Sequence, residues 1–279
     1  MRPEFWKLAE VIKEYAGDEV VYFLKNQGNW GDALILQGTF EFFRHFNVRY
    51  RTLTMEQTLA EKIKWRLARK SRVLVVSGGG AWCGHYRELQ DFVTVVARKY
   101  KFKKIIVLPS TFEDGVSCPN TIFFRRDNME SKEVMPDSDF CHDMAFFLPR
   151  YELRKSSDCR RDKSIGYCFR GDPEASGKHE VPDGNFDLSA HGNESTPISG
   201  FLEWVANKDV IHTDRLHVTI AGGLLGKQVY VYPGCYFKNR ALYESSIKGY
   251  FDGVVYLEQF QGQGIGEDRL PPIKENLKT

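Results

Sequence analysis

At 279 residues, 42% of them apolar, the chain has core material for one large domain or two modest ones, without disulfide or metal staples. Its 39 basic and 37 acidic residues nearly cancel, to a formal charge of +2, which excludes the broad basic field of a nucleic-acid binder and leaves anion recognition to local sites. The six cysteines are scattered, none at the two-residue spacing of a zinc ribbon or redox motif, and no Asp or His cluster is evident, so reduced thiols and chemistry without a bound metal or cofactor are expected.

The first 19 residues mix charges with apolar residues at helical spacing, unlike the unbroken apolar core of a secretory signal. No segment approaches the roughly 20 apolar residues of a membrane span. A cytoplasmic protein is expected, with peripheral contact at the inner face of the membrane left open. Short apolar runs at 19–24, 72–77, 104–109, 121–124, 164–169, 209–212, 228–232 and 253–257 predict buried strands. Helical patterns at 32–46 and 86–100 fall between them, and that alternation predicts an α/β fold of parallel sheets covered by helices on both faces. A charged stretch at 149–163 predicts a boundary between two α/β halves, an N-terminal domain 1–155 and a C-terminal domain 156–279. Residues 170–197, rich in Gly, Pro, Asp and Ser, predict a long loop, either a functional lid or a plain mobile excursion.

Three strand-to-helix turns carry polar chemistry. In "NQGNWGDALILQG" (26–38), Gly28 and Gly31 permit close backbone approach, and Asn29 and Asp32 either cap the helix or reach a ligand. The glycine spacing is neither a dinucleotide fingerprint nor a Walker loop. In "SGGGAW" (77–82), the glycines permit a backbone nest for an anion or a sugar. Trp30, Trp82 and Tyr86 lie beside these turns, either as platforms for sugar rings or as ordinary core.

The third turn lies in "DVIHTDRLHVTIAGGLLGKQVYVY" (209–232). Val210 and Ile211 end a strand, Thr213 or Asp214 caps the following helix, and Leu216, Ile220 and Leu224 form its apolar face. Arg215 and His217 then fall in the first helical turn at the C-terminal edge of a parallel sheet, where unpaired N–H groups and the helix dipole favour an anion. An arginine and an imidazole there suit a phosphorylated, carboxylated ligand. The plainer alternative pairs Arg215 with an acid and makes His217 an ordinary half-buried histidine.

In order and spacing these motifs resemble the polysaccharide pyruvyl transferase family over about residues 20–240: Asn29, Gly31 and Asp32 in the first turn, Gly78 to Gly80 in the second, "LPST" at 108–111, "RRDNMES" at 125–131, "HDMAFFL" at 142–148, then "DRLH" at 214–217. The resemblance implies two Rossmann-like domains facing a cleft, similar to GT-B glycosyltransferases, with the acceptor on the N-terminal side and phosphoenolpyruvate on the C-terminal side. It implies transfer of pyruvate from phosphoenolpyruvate, as co-substrate, to two hydroxyls of a sugar, free or lipid-linked, with release of phosphate. Arg215, the backbone of Leu216 and His217 would bind phosphoenolpyruvate, with Arg215 and His217 also serving catalysis. Arg126 and Arg170, each just past a strand, are candidates to clamp the carboxylate. Asn29, Asp32, Gly79, Gly80, Trp82 and His85 are candidates for the acceptor. Phe112 stands where the family has a histidine, so the general acid is open among His85, His142 and His217. A nucleotide-sugar glycosyltransferase of the same architecture, and a non-catalytic sugar-binding relative, are the competing readings.

Overall fold

The computed structural model describes residues 2–55, 72–84, 86–100, 102–148, 153, 164–177 and 180–260. The chain divides into two compact units, one of Met1–Pro149 with Asn193–Ser195, the other of Arg150–Gly192 with Thr196–Thr279. The expected boundary at 149–163 lies, apart from Leu153, outside the described residues.

The first unit holds a seven-stranded sheet: β1 (Val21–Leu24), β2 (Tyr50–Leu53), β3 (Val73–Val76), β4 (Gly79–Trp82), β5 (Lys104–Phe112), β6 (Thr121–Arg125) and β7 (Asp139–Phe140). The order is β2-β1-β3-β5-β6-β7, with β4 pairing β5 off that path, and every pairing is parallel. Side chains alternate along a strand, so each run feeds two cores. Val21, Phe23, Val73, Val75, Ile106 and Leu108 join the cluster under the helices Pro3–Ala16 and Trp30–His45. Tyr22, Leu24, Leu74, Val76, Ile105 and Val107 join the opposite cluster with Leu89, Val93 and Val96 of the helix Glu88–Lys99. Burial on both faces is why these strands read as continuous apolar runs rather than alternating ones. Gly38 lets the Trp30–His45 helix touch the backbone of the turn Met144–Phe147, since a Cβ there would lie 1.9 Å from the Met144 carbonyl oxygen.

The second unit holds β8 (Ile165–Cys168), β9 (Val210–Thr213), β10 (Gln228–Val231) and β11 (Val254–Tyr256), in the order β11-β10-β9-β8 and again all parallel. The helix Leu216–Leu224 follows β9 directly, and Gly226 turns the chain back at φ +67° before β10. All eight apolar runs are strands. Three strands carry no such signal: β2 is exposed over most of its length, β7 has two residues, and Gly79–Trp82, expected as an irregular nest, pairs with β5 instead. No helix among the described residues is long and apolar enough to cross a membrane.

Candidate functional site

In the first unit, polar groups gather at the C-terminal edge of the sheet. Asn29 caps the Trp30–His45 helix: its side chain accepts from the Gly31 N–H at 2.8 Å, while Asp32 Oδ2 accepts from the Asn29 N–H at 2.9 Å. The two expected ligand groups are thus partly committed to a capping box. Gly28 is required beside them, since a Cβ there would lie 2.0 Å from Asp32 Oδ2. A Cβ on Gly79 would come 3.6 Å from Asp32 Oδ1, and one on Gly80 would come 3.7 Å from Arg126 Nη2. Arg126 is 1% exposed; its Nε donates to Thr111 Oγ1 at 2.8 Å and its Nη1 to Asp143 Oδ2 at 2.6 Å. Asn29, Asp32, Gly79, Gly80 and Arg126 therefore share one edge of this unit.

Trp82 does not join them. Its position on β4 turns the indole into the core, 1% exposed, against Phe112 and Phe123, so it offers no face to a sugar. This corrects its expected place in the acceptor site. Phe112, at the position of the family histidine, lies in the same core with no exposure. His142 is buried beneath the N-terminal helix: Arg2 Nη1 lies 2.9 Å from Nδ1 and Glu4 Oε2 lies 3.2 Å from Nε2. Burial, then the Arg2 charge, pushes its pKa down to about 4, so it is neutral at working pH and an inert candidate for the acid. His85 lies outside the described residues.

In the second unit the edge is a charge network. Arg215 is the N-cap residue of Leu216–Leu224, which has no side-chain cap; the Thr213 hydroxyl accepts from the Arg215 N–H at 2.9 Å, before the helix begins, so neither Thr213 nor Asp214 caps it as expected. The Arg215 guanidinium, 5% exposed, donates from Nε to Asp187 Oδ1 at 2.8 Å, from Nη2 to Asp187 Oδ2 at 2.5 Å and from Nη1 to Asp172 Oδ2 at 2.7 Å. Arg170, just past β8, donates from Nε and Nη2 to Asp172 at 2.7 and 3.0 Å and also pairs with Glu174, which Lys238 shares. Asp214 turns its carboxylate to the Arg170 N–H at 2.8 Å. Arg170, Arg215 and Leu216 are thus brought together, with half-buried His217 in the same first turn. His212 is not part of this edge. It is buried in an aromatic cluster, stacked on Tyr230 and Tyr232, hydrogen-bonded to the Tyr232 hydroxyl, and pushed down to about 4 by burial.

The partners Asp172, Glu174, Asp187 and Lys238 were not expected. Three of them come from the 170–197 segment, where no periodicity marks which acids turn inward. Burial alone would raise these carboxyls, but hydrogen bonds and charge from Arg170 and Arg215 hold Asp172 down at about 2, and Lys238 and Arg170 do the same for Glu174. For Asp214 burial wins over the Arg170 N–H and the two arginine charges, and its pKa rises to about 7. A carboxyl whose folded pKa is raised contributes stability that is present below its unfolded value near 4 and lost as pH rises through about 7. Asp214→Asn, which keeps an oxygen for the Arg170 N–H but cannot ionise, is therefore expected to gain on wild type between pH 5 and pH 8, by on the order of a few kcal/mol. Thermal melts of both proteins across that range check it; a constant difference would contradict it. Among the described residues, no group of three or more His, Cys, Asp or Glu side chains is arranged to hold a metal ion.

The geometry defines an α/β protein with two parallel sheets, each carrying a buried arginine at its C-terminal edge. The chain belongs to the polysaccharide pyruvyl transferase family, whose model matches residues 29–235, from the Asn29 cap to just beyond β10. It is similar in fold to a functionally uncharacterised protein from Klebsiella pneumoniae subsp. pneumoniae, with 26% identity, 92% of this chain and 99% of that chain covered, and a TM-score of 0.75. No curated protein matches it.

Proposed function

We propose that the chain transfers pyruvate from phosphoenolpyruvate to two hydroxyls of a sugar in a polysaccharide, an oligosaccharide or its lipid-linked precursor, in the cytoplasm or at the inner face of the membrane. The observation that supports this reading is the Arg215 to His217 turn at the sheet edge: a buried arginine at the N-cap position of a helix whose N-terminal end favours an anion, with His217 in the first turn. On this reading the second unit carries phosphoenolpyruvate and the first the acceptor.

Protonation of the methylene carbon makes the neighbouring carbon electrophilic. One sugar hydroxyl attacks it and loses its proton, the carbon–oxygen bond to phosphate breaks and phosphate leaves with the electron pair, and the second hydroxyl attacks the same carbon and gives up its proton to close the ketal. His217 is assigned proton transfer, a role worth on the order of 10² to 10⁴ in rate. Arg215 and the N–H groups of the first helical turn stabilise the departing phosphate. Arg170 and Arg126 are assigned to the carboxylate, and Asn29, Asp32, Gly79 and Gly80 to the acceptor. On this reading binding is coupled to pH: burial raises the Asp214 pKa to about 7, so as pH rises through that value a further negative charge develops beside Arg170 and Arg215 and binding weakens.

One observation favours a non-catalytic relative instead. The Arg215 charge is already met by Asp172 and Asp187, as in a structural ion pair. Phosphate release from phosphoenolpyruvate, measured across galactose, mannose, glucose and N-acetylmannosamine glycosides, separates the readings. Acceptor-dependent release supports transfer. Sugar binding without release supports the non-catalytic relative, and stabilisation by a nucleoside diphosphate alone supports a glycosyltransferase.

A further inference from the structure

We infer that Asp187, assisted by Asp172, is a positioning residue that fixes the Arg215 guanidinium for an incoming phosphate or carboxylate; the inference rests on the proposed role of Arg215 in binding phosphoenolpyruvate. A guanidinium has five N–H donors in a rigid fork. Asp187 takes one from Nε and one from Nη2, and Asp172 takes one from Nη1. Two N–H donors, one on each terminal nitrogen, are left unused by these acids, and a phosphate or carboxylate oxygen can accept from them. Asp187 thus holds the fork along its Nε–Nη2 edge and Asp172 holds Nη1, with two donors left for a ligand.

The chain around Asp187 is built to stay in place. On one side the Phe186 N–H donates to the Tyr167 carbonyl of β8 at 2.9 Å, and the Phe186 ring stacks on His191 with centroids 4.1 Å apart. On the other, Leu188 is 1% exposed and its N–H points to Cys168 Sγ at 3.4 Å. Asp187 Oδ2 also accepts from the Gly171 N–H at 3.0 Å. Asp172 is fixed in turn by Arg170, and its Oδ1 accepts from the Glu174 N–H at 3.1 Å. A carboxylate that merely occupied the fork until substrate displaced it would have to leave this scaffold, breaking the bond to Gly171 as well as those to Arg215. Held in place, the two acids instead remove the conformational cost of ordering a long side chain at each turnover.

The competing roles predict opposite signs. In the full chain, Asp187→Ala is expected to raise the KM for phosphoenolpyruvate about 10-fold or more, with a smaller change in kcat, and to weaken inorganic phosphate binding in titration calorimetry. Asp187→Asn keeps the shape and one of the two accepting oxygens but turns an amide donor towards an N–H, so it is expected to show a smaller loss than Asp187→Ala in the same direction; it also carries the test if Asp187→Ala does not fold. Nitrogen-15 spectra supply a ligand-independent readout: the Arg215 Nε–H is expected to exchange slowly in wild type and quickly in Asp187→Ala. An unchanged KM in an active Asp187→Ala enzyme, or a lowered KM, overturns the inference and leaves the proposed function standing. If wild type turns over no phosphoenolpyruvate, the proposed function fails, and the inference then stands only if Asp187→Ala weakens phosphate binding and fails if it does not.

Discussion

Arg215→Ala is expected to lower acceptor-dependent phosphate release by at least about 10²-fold, the usual cost of removing a preorganised donor from developing charge. The effect is large because Arg215 is the residue placed at the N-terminal end of the Leu216–Leu224 helix, where on the proposed reading the phosphate departs. Arg170, bonded to Asp172 and Glu174, lies just past β8 rather than at the helix N-terminus and is assigned to the carboxylate, and Lys238 is held by Glu174. Removal also leaves Asp172 and Asp187 facing each other without the cation between them, so the network turns negative where a negative substrate must bind. Arg215→Lys restores the charge but cannot satisfy both acids and a phosphate through one ammonium, so it is expected to recover little of the rate. Steady-state kinetics on both variants, beside melts that report folding, check this; a Lys variant at wild-type rate would contradict it.

The second large effect is on stability. Arg126 and Asp143 are 1% and 0% exposed, a fully buried pair at the sheet edge of the first unit. Asp143 does double duty: Oδ2 meets Arg126, and Oδ1 accepts from the Ala145 N–H at 2.8 Å at the start of the Met144–Phe147 turn. That turn is the backbone against which Gly38 seats the Trp30–His45 helix. Asp143→Ala strands a buried cation and uncaps the turn together, and breaking a buried pair in this way costs about 3–5 kcal/mol. Calorimetry is expected to show a Tm lower by roughly 10 °C. Adding Arg126→Met removes the stranded charge and is expected to return part of the loss, as replacing a whole buried pair often does. A double variant less stable than Asp143→Ala would place the cost in the lost cap rather than in the charge.

The strands of both sheets were legible because a sheet buried on two faces writes an unbroken apolar run, as in Val73–Val76 and Val229–Val231. β4 was not legible: Gly79 and Gly80 carry no strand preference, and the pairing is imposed by β5. That missed strand also explains the misplacement of Trp82, which alternation along β4 sends into the core with Phe112. At the site, Asn29 with Asp32 and Arg215 with Leu216 and His217 were legible because capping and the strand-to-helix turn are local events, set within four residues. Asp187 lies 28 residues before Arg215, in a segment without periodicity. Only the tertiary path of the chain chooses it over Asp183 or Glu180. Thr213 and Asp214 both have the type and place of a cap, yet the Thr213 hydroxyl accepts from the Arg215 N–H before the helix begins and Asp214 turns to Arg170.

The most direct test of the central claim is the product itself. Phosphoenolpyruvate isotopically labelled at its enol carbon is incubated with the protein and an acceptor glycoside, and the glycoside is then examined by carbon NMR and mass spectrometry. Pyruvyl transfer predicts that the label appears as a quaternary ketal carbon bonded to two sugar oxygens, with one phosphate released per ketal and no signal from Arg215→Ala. Label that stays in phosphoenolpyruvate or appears only as free pyruvate, across every acceptor tried, would contradict the account.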